Sequence, residues 1–281
     1  MQILSDPFSG LTDTDVRFLV ETIEPRLVDR LDAVKSDPVF IAGMLEQETD
    51  RLFDRMMHMG EERMLATISP RFLFHVLIRK AATELETQSY TVERDGGQHI
   101  PVFDSEEVVR FLSDRAIVNY LAEMLVSFTR VESFTVPVRV RQGVWRKYRF
   151  SDMDIDSMIR LCEAVDEESR FTFYKRIADL CLFVLGMFPE YVASDLHHSL
   201  SGKRLRQPLR RMRRSAADYE EDGRRFYRLA REHRNAFNLE LSDIFWQLQE
   251  KFNLARKPLN YLSEHYLQFR KQKLFPSPSP N

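Results

Sequence analysis

Glycine is scarce in this sequence, and long apolar runs are missing from it. The chain of 281 residues holds only 9 glycines, about 3% where roughly 7% is usual in globular proteins. The most apolar stretch, residues 177–188, contains Asp179 and is shorter than the ~20 apolar residues that a helix needs to cross a bilayer. The sequence therefore predicts packed helices and no association with a membrane.

Cysteine is rarer still. The two cysteines, Cys162 and Cys181, lie in apolar helical patterns and are too few to form a disulfide framework. The first fifteen residues lack the basic flank and the apolar run that a signal peptide needs. We therefore expect a protein of the cytoplasm.

Catalytic signatures are also missing. The sequence has no Gly-x-Ser-x-Gly elbow, no phosphate-binding glycine loop and no Cys-x-x-Cys pair. Residues 152–163 imitate the start of a calcium loop, but Ser157 stands where that loop needs glycine. His197 and His198 are adjacent, so their side chains diverge. We predict no metal ion and no cofactor, although an active site built from dispersed residues would leave no trace in a single sequence.

Large apolar side chains are abundant instead. Hydrophobic residues make up 43% of the chain, which has 21 phenylalanines, and they recur at helical spacing behind residues that cap helices. Thr12 begins a capping-box pattern, and Asp37-Pro38 and Ser69-Pro70 are each typical of a helix start. We predict a mainly α fold, a helical bundle with two β-hairpins, which makes it an α-rich α+β protein.

Two prolines predict where helices are interrupted. Pro25 lies inside the first helical pattern, where it removes a backbone donor and should kink or divide the helix. Pro258 is predicted to begin a helix over residues 258–271, after another helix over residues 241–253.

Two segments change from helical to strand periodicity. Residues 90–103 place alternating runs around Asp95-Gly96-Gly97, a strong hairpin signal because glycine accepts positive φ angles. A second hairpin is predicted over residues 134–150, with a loop at residues 141–143. Its register pairs Val140 with Val144, Val136 with Tyr148, Phe134 with Phe150, Arg139 with Trp145, Pro137 with Lys147 and Thr135 with Arg149.

Charge is distributed unevenly along the chain. Residues 1–70 carry 14 acidic and 7 basic side chains, whereas residues 201–275 carry 18 basic and 9 acidic ones. Such a split can dock the two ends together, drive association between molecules, or leave the basic end free for an anionic partner. We predict a helical domain with two β-hairpins over residues 1–200, a basic helical region over residues 201–275 and a flexible tail over residues 276–281.

The positive charge is densest in residues 203–214, which contain seven basic residues and no acidic one. Guanidinium groups offer paired donors to phosphate, and the second hairpin adds cations around a tryptophan that can stack on bases. The alternative interpretation is a solvated linker docked on acidic helices, with Trp145 packed under a helix. The candidate polyanion-binding residues are Arg206, Arg210, Arg211, Arg213, Arg214, Arg139, Trp145, Lys147 and Arg149.

Three functions are consistent with these patterns. The preferred one is a non-catalytic interaction or scaffold protein that presents helical surfaces to a protein partner. The second is nucleic-acid or other polyanion binding through residues 203–214 and the hairpin of residues 134–150. The third is an enzyme with a cleft between the two predicted regions, for which the sequence indicates no catalytic residue.

Overall fold

The fold is known from a computed structural model of the chain. It describes residues 10–95, 98–130, 133–141, 144–190, 192, 214–268 and 270–275. For residues 94–95, 98–99, 133–141 and 144–151 it describes the backbone alone.

Helices make up most of the described chain, which confirms the predicted mainly α class. Short 3₁₀ segments occur at Pro25–Arg30 and Glu167–Ser169, and one π-helical turn occurs at Leu262–Tyr266. In chain order the α-helices are α1 (Asp13–Ile23), α2 (Leu31–Lys35), α3 (Pro38–Gln47), α4 (Thr49–His58), α5 (Glu61–Thr67), α6 (Pro70–Glu86), α7 (Ser105–Leu112), α8 (Arg115–Ser127), α9 (Ile155–Ala164), α10 (Arg170–Met187), α11 (Ala216–Glu232), α12 (Arg234–Asn238), α13 (Ser242–Glu250), α14 (Phe252–Tyr261) and α15 (Lys271–Leu274).

The predicted caps begin their helices. Oγ1 of Thr12 accepts from the amide of Asp15 at 3.1 Å, and the Asp15 carboxylate accepts from the amide of Thr12 at 2.8 Å, so the capping box is confirmed. Ser69 caps α6 by accepting from the amide of Phe72. The buried Asp15 carboxylate also accepts from the amide of Ser69 at 2.8 Å. One carboxylate therefore ties together the first turns of α1 and α6.

The two prolines behave differently from one another. Pro25 divides the first helix as predicted, because α1 ends at Ile23 and a 3₁₀ segment follows. The predicted helix start at Pro258 is wrong, since this proline lies inside α14. Pro258 and Leu259 are buried there, so the packing of the helix outweighs the loss of one backbone donor. The helix then widens into the π-helical turn.

By its packing the chain divides into two units. Unit 1 comprises Met1–Thr91 and Val102–Ser127, and unit 2 comprises Val92–Pro101 and Phe128–Asn281. The boundary predicted near residue 200 lies outside the described residues and stays a prediction, while α10 and α11, which stand on opposite sides of that position in sequence, pack on one another.

Helix α6 forms the centre of unit 1. It packs against α4, α7 and α8, and residues 72–78 are all buried. His75 is one of these seven buried residues. A histidine ring in the core must be neutral or have a partner for its charge, because burying an unpaired charge is unfavourable.

Helix α10 forms the centre of unit 2. Residues 177–187 are all buried, and the helix packs against α9, α11 and α14. Two glycines permit the close approach of these helices. A Cβ atom on Gly186 would lie 2.6 Å from Cβ of Leu259, and one on Gly223 would lie 2.4 Å from the ring of Phe252. Glycine is therefore scarce but is used where α14 meets α10 and α11.

Strands β1 (Thr91–Asp95) and β2 (Gln98–Val102) hydrogen-bond as one two-stranded sheet, and β3 (Ser133–Arg141) and β4 (Val144–Ser151) form an antiparallel ribbon. The ribbon confirms the predicted register from residue 134 to residue 139. Its end differs from the prediction, because Arg141 rather than Val140 stands opposite Val144. Between the pairs Arg139–Trp145 and Arg141–Val144, β3 therefore has one residue more than β4, which is the arrangement of a β-bulge.

Candidate functional site

Arg214 is the predicted polyanion-binding residue whose side chain the structure describes. Its Nη2 lies 2.7 Å from Oδ1 of Asp156, and its Nη1 forms an ion pair with Asp222. Burial would lower the pKa of Arg214, but the hydrogen bond that it donates to Asp156 and the charge of Asp222 raise it above the ordinary value. Arg214 therefore joins α9 to α11 within unit 2, and its charge is matched by the protein's own carboxylates.

The other predicted residues fall into two groups. Arg206, Arg210, Arg211 and Arg213 lie outside the described residues. The four ribbon residues are described by their backbone, and the register places Arg139 opposite Trp145, Lys147 opposite Pro137 and Arg149 opposite Thr135, as predicted.

Several further cations of residues 214–275 pair with carboxylates of unit 2. Nη2 of Arg234 lies 3.0 Å from Oε1 of Glu168, and Nζ of Lys271 lies 2.8 Å from Oε1 of Glu190. Arg224 likewise pairs with Glu220 one helical turn away. The positive charge counted along this part of the sequence is thus partly neutralised within the same unit.

Unit 1 exposes two aromatic rings in contact, which we call the Tyr90–Phe103 pair. Their centroids are 6.1 Å apart at an interplanar angle of 66°, and Tyr90 is 46% and Phe103 80% exposed. Tyr90 comes directly before β1 and Phe103 directly after β2. The pair therefore projects from the ends of two strands that hydrogen-bond to each other.

Hydrogen bonds beside the Tyr90–Phe103 pair fix its backbone. Oγ1 of Thr91 donates to Oδ1 of Asp104 at 2.6 Å, and Oγ of Ser105 donates to the carbonyl of Gln88 at 2.6 Å. Thr91 and Ser105 are both buried. The two rings are thus attached to an ordered support, which lowers the entropic cost of using them in a contact.

Unit 2 exposes Trp246 on α13 in acidic surroundings. The inner face of the helix consists of Ile244, Phe245 and Leu248, which are buried. Trp246 is 49% exposed on the opposite side, and the helical spacing places the exposed Asp243 and Glu250 three residues before it and four residues after it. We call these three residues the Trp246 face.

Phe237 on the neighbouring helix α12 is the most exposed aromatic side chain of the described unit 2, at 81%. The turn between α12 and α13 is closed by the amide of Leu241, which donates to the carbonyl of Ala236 at 2.8 Å, and it includes Glu240 at a φ of 56°. A left-handed conformation is uncommon for a residue other than glycine. This short turn, closed by its hydrogen bond, fixes the backbone next to the exposed Phe237.

Each unit has a buried ionisable group that is hydrogen-bonded to another side chain. In unit 2 the buried Asp179 accepts from the Tyr227 hydroxyl at 2.9 Å and from Nζ of Lys175 at 2.6 Å. In unit 1 Nη1 of Arg79 lies 3.0 Å from Nδ1 of His75. Burial lowers the pKa of His75 well below its usual value, with a smaller contribution from Arg79, and burial lowers the pKa of Arg79 to about 10.

The described part of the chain shows neither a metal site nor a helix suited to a membrane. No three His, Cys, Asp or Glu side chains are grouped there so that they could hold a metal ion. None of its helices combines the length and the apolar character needed to cross a bilayer. Two carboxylates of the calcium-loop imitation pair with arginines, Asp152 with Arg176 and Asp156 with Arg214.

Comparisons with known proteins add no relative. No family model, no curated protein and no solved structure matches this chain.

The exposed aromatic residues are missed by the sequence patterns, although the sequence contains a signal for one of them. On a helical wheel Trp246 lies opposite the stripe that Ile244, Phe245 and Leu248 define, so it could have been predicted as exposed. For Phe237 and Phe103 no such stripe exists, because α12 is five residues long and Phe103 lies between two elements.

Proposed function

We propose that the protein is a non-catalytic interaction protein whose two units contact protein partners through exposed aromatic side chains. The observation that carries the proposal is that each unit holds large aromatic rings in solvent, Tyr90 and Phe103 in unit 1 and Phe237 and Trp246 in unit 2. Aromatic residues are enriched at protein interfaces and contribute much of the binding energy there. A contact surface on each unit supports the role of a scaffold.

The Trp246 face suggests the chemistry of its partner. Asp243 and Glu250 stand on the same side of α13 as the indole ring, and α13 itself contains no basic residue. A lysine or arginine side chain can lie over an indole ring and meet carboxylates at its edges. We therefore propose that unit 2 binds a partner segment that combines basic and apolar residues.

The location belongs to the same proposal. Cys162 and Cys181 are unbridged and buried, and burial raises the pKa of both thiols. Unpaired and unreactive cysteines suit the reducing cytoplasm, so we propose that the partners are cytoplasmic proteins.

Quantitative affinity capture with matched variants tests the proposal. The double variants Tyr90→Ser with Phe103→Ser and Phe237→Ser with Trp246→Ser should each lose a set of captured proteins. Val39→Ser is the control, because Val39 is 81% exposed yet is not aromatic. Each captured protein is then purified, and its affinity for the matching double variant should fall at least about tenfold.

Two results would contradict the proposal. One is an equal loss of captured proteins in the Val39→Ser control, and the other is capture that neither double variant alters. A photo-crosslinking residue introduced at position 103 or 246 checks direct contact, because it should form an adduct with the protein that the matching double variant loses.

A second candidate function is polyanion binding, which the register of the ribbon favours. Arg139, Lys147 and Arg149 keep the predicted pairing around Trp145, and a two-stranded ribbon can lie along a phosphate backbone. Arg214 is removed from this proposal, because two carboxylates already bind it. Retention on heparin at low salt, lost when the three ribbon cations become alanine, is the expected outcome. The enzyme alternative stays a prediction.

A further inference from the structure

Two adjacent cations on α14 lie beside one carboxylate of β1. Nζ of Lys257 is 3.0 Å from Oε1 of Glu93, and Nη2 of Arg256 is 3.7 Å from the same oxygen. The Lys257 side chain is 4% exposed, the Arg256 side chain 18% and the Glu93 side chain 33%. All three residues belong to unit 2.

The Arg256 side chain is largely buried, and its Nε donor is unused among the residues that the structure describes. A separation of 3.7 Å is longer than the roughly 3.2 Å that an N–H···O hydrogen bond allows. Within the described part of the chain the buried Nε of Arg256 has no hydrogen-bond partner either. A guanidinium offers five N–H donors in a flat fork, and removing such a charge from water without hydrogen bonds is unfavourable.

An oxyanion would satisfy this arrangement better than Glu93 does. The fork of Arg256 matches two oxygens of a phosphate, and Lys257 adds a second positive charge on the next residue. Glu93 already shares its oxygen between the two cations. A doubly charged phosphate can neutralise both cations. A second carboxylate has a single negative charge and would neutralise them less completely.

We propose that Arg256 and Lys257 form a binding site for a small phosphate-containing anion. The Arg256 guanidinium donates two N–H groups to the phosphate oxygens, and Lys257 contributes its charge. Glu93 competes with the ligand, because its carboxylate is attracted to the same two cations. The site shares no residue with the aromatic surfaces or with the predicted polyanion-binding set, so its test is independent of the proposed function.

Calorimetric titration of the full chain with inorganic phosphate tests the site, with sodium chloride at equal ionic strength as the reference. Arg256→Gln should weaken phosphate binding by about tenfold or more, since it removes the paired donors. Glu93→Gln should strengthen binding several-fold, because it removes the competing charge. Arg225→Gln is the control, because Arg225 is exposed on α11 and lies outside the site, and it should leave phosphate affinity unchanged.

The opposite responses of the two site variants make the proposal falsifiable. If Arg256→Gln and Arg225→Gln bind phosphate as the original chain does, or if phosphate acts no differently from chloride, the site does not exist. If Arg256→Gln fails to fold by circular dichroism, Glu93→Gln decides alone, and unchanged or weaker binding overturns the proposal. A titration with glycerol 3-phosphate separates the two sources of the group, because tighter binding than that of inorganic phosphate assigns a phosphorylated small molecule and weaker binding assigns the free ion.

Discussion

Replacing Arg214 by alanine should destabilise unit 2 by about 2 kcal/mol. The side chain is 21% exposed and pairs with Asp156 and Asp222, whose own side chains are 37% and 15% exposed. A hydrogen bond to a charged group contributes about 1.5–3 kcal/mol, an exposed ion pair about 0.2–1 kcal/mol, and breaking a fully buried pair costs about 3–5 kcal/mol. Partial exposure places Arg214 between these limits. Its loss would also leave two carboxylates without their shared cation.

Urea unfolding followed by tryptophan fluorescence is the appropriate assay. The chain has two tryptophans, Trp145 and Trp246, and both belong to unit 2, so the signal reports the unit in which Arg214 lies. The matched control is Arg225→Ala, which removes an exposed arginine and should change the free energy of unfolding by less than about 0.5 kcal/mol.

The same variant tests the two roles that Arg214 could have. A residue that binds phosphate would lose retention on heparin when replaced and keep its stability, whereas the structure predicts lost stability. Arg214→Ala within about 0.5 kcal/mol of the original chain, together with weaker heparin retention, would refute the reasoning from the ion pairs.

Three further predictions concern the cores of the two units. Tyr227→Phe removes the hydrogen bond to the buried Asp179 carboxylate and should cost about 1.5–3 kcal/mol in the same assay. Gly223→Ala would place a methyl group 2.4 Å from the Phe252 ring, and it should cost about 1–3 kcal/mol of the free energy of unfolding. His75 has a lowered pKa in the folded state, so its unfolded form binds a proton first as pH falls below about 6.5. Stability should then decline by up to about 1.4 kcal/mol per pH unit for this group, and urea titrations between pH 7 and pH 5 should show a smaller decline in His75→Gln.

Features that depend on a few neighbouring residues could be predicted from the sequence. The capping box of Thr12 is closed by groups only three residues apart, and the ribbon register follows from alternation between adjacent strands. Pro25 interrupts its helix because the steric conflict is local. In each case the residues that decide the outcome are close to one another in the sequence.

Features that depend on packing between distant segments could not be predicted. Pro258 stays inside α14 because residues around it are buried, and Leu259 packs closely against Gly186, more than seventy positions earlier in the chain. Phe237 and Phe103 are exposed because no other element covers them among the described residues, which no periodicity in five residues can reveal. The candidate site at Arg256 likewise depends on Glu93, a residue from another part of unit 2.

A count of basic residues measures charge along the chain, but binding of an anionic partner requires charge that is free on the surface. Of the cations after residue 213, Arg214 pairs with Asp156, Arg234 with Glu168 and Lys271 with Glu190. These three carboxylates lie before residue 200 in sequence, so the count over residues 201–275 includes three cations but leaves out the carboxylates that pair with them. Most of the surplus comes from residues 203–213, which have six basic residues and no acidic one, whereas residues 214–275 carry 12 basic and 9 acidic side chains. We therefore expect any strong attraction to a polyanion to depend mainly on residues 203–213 and the ribbon.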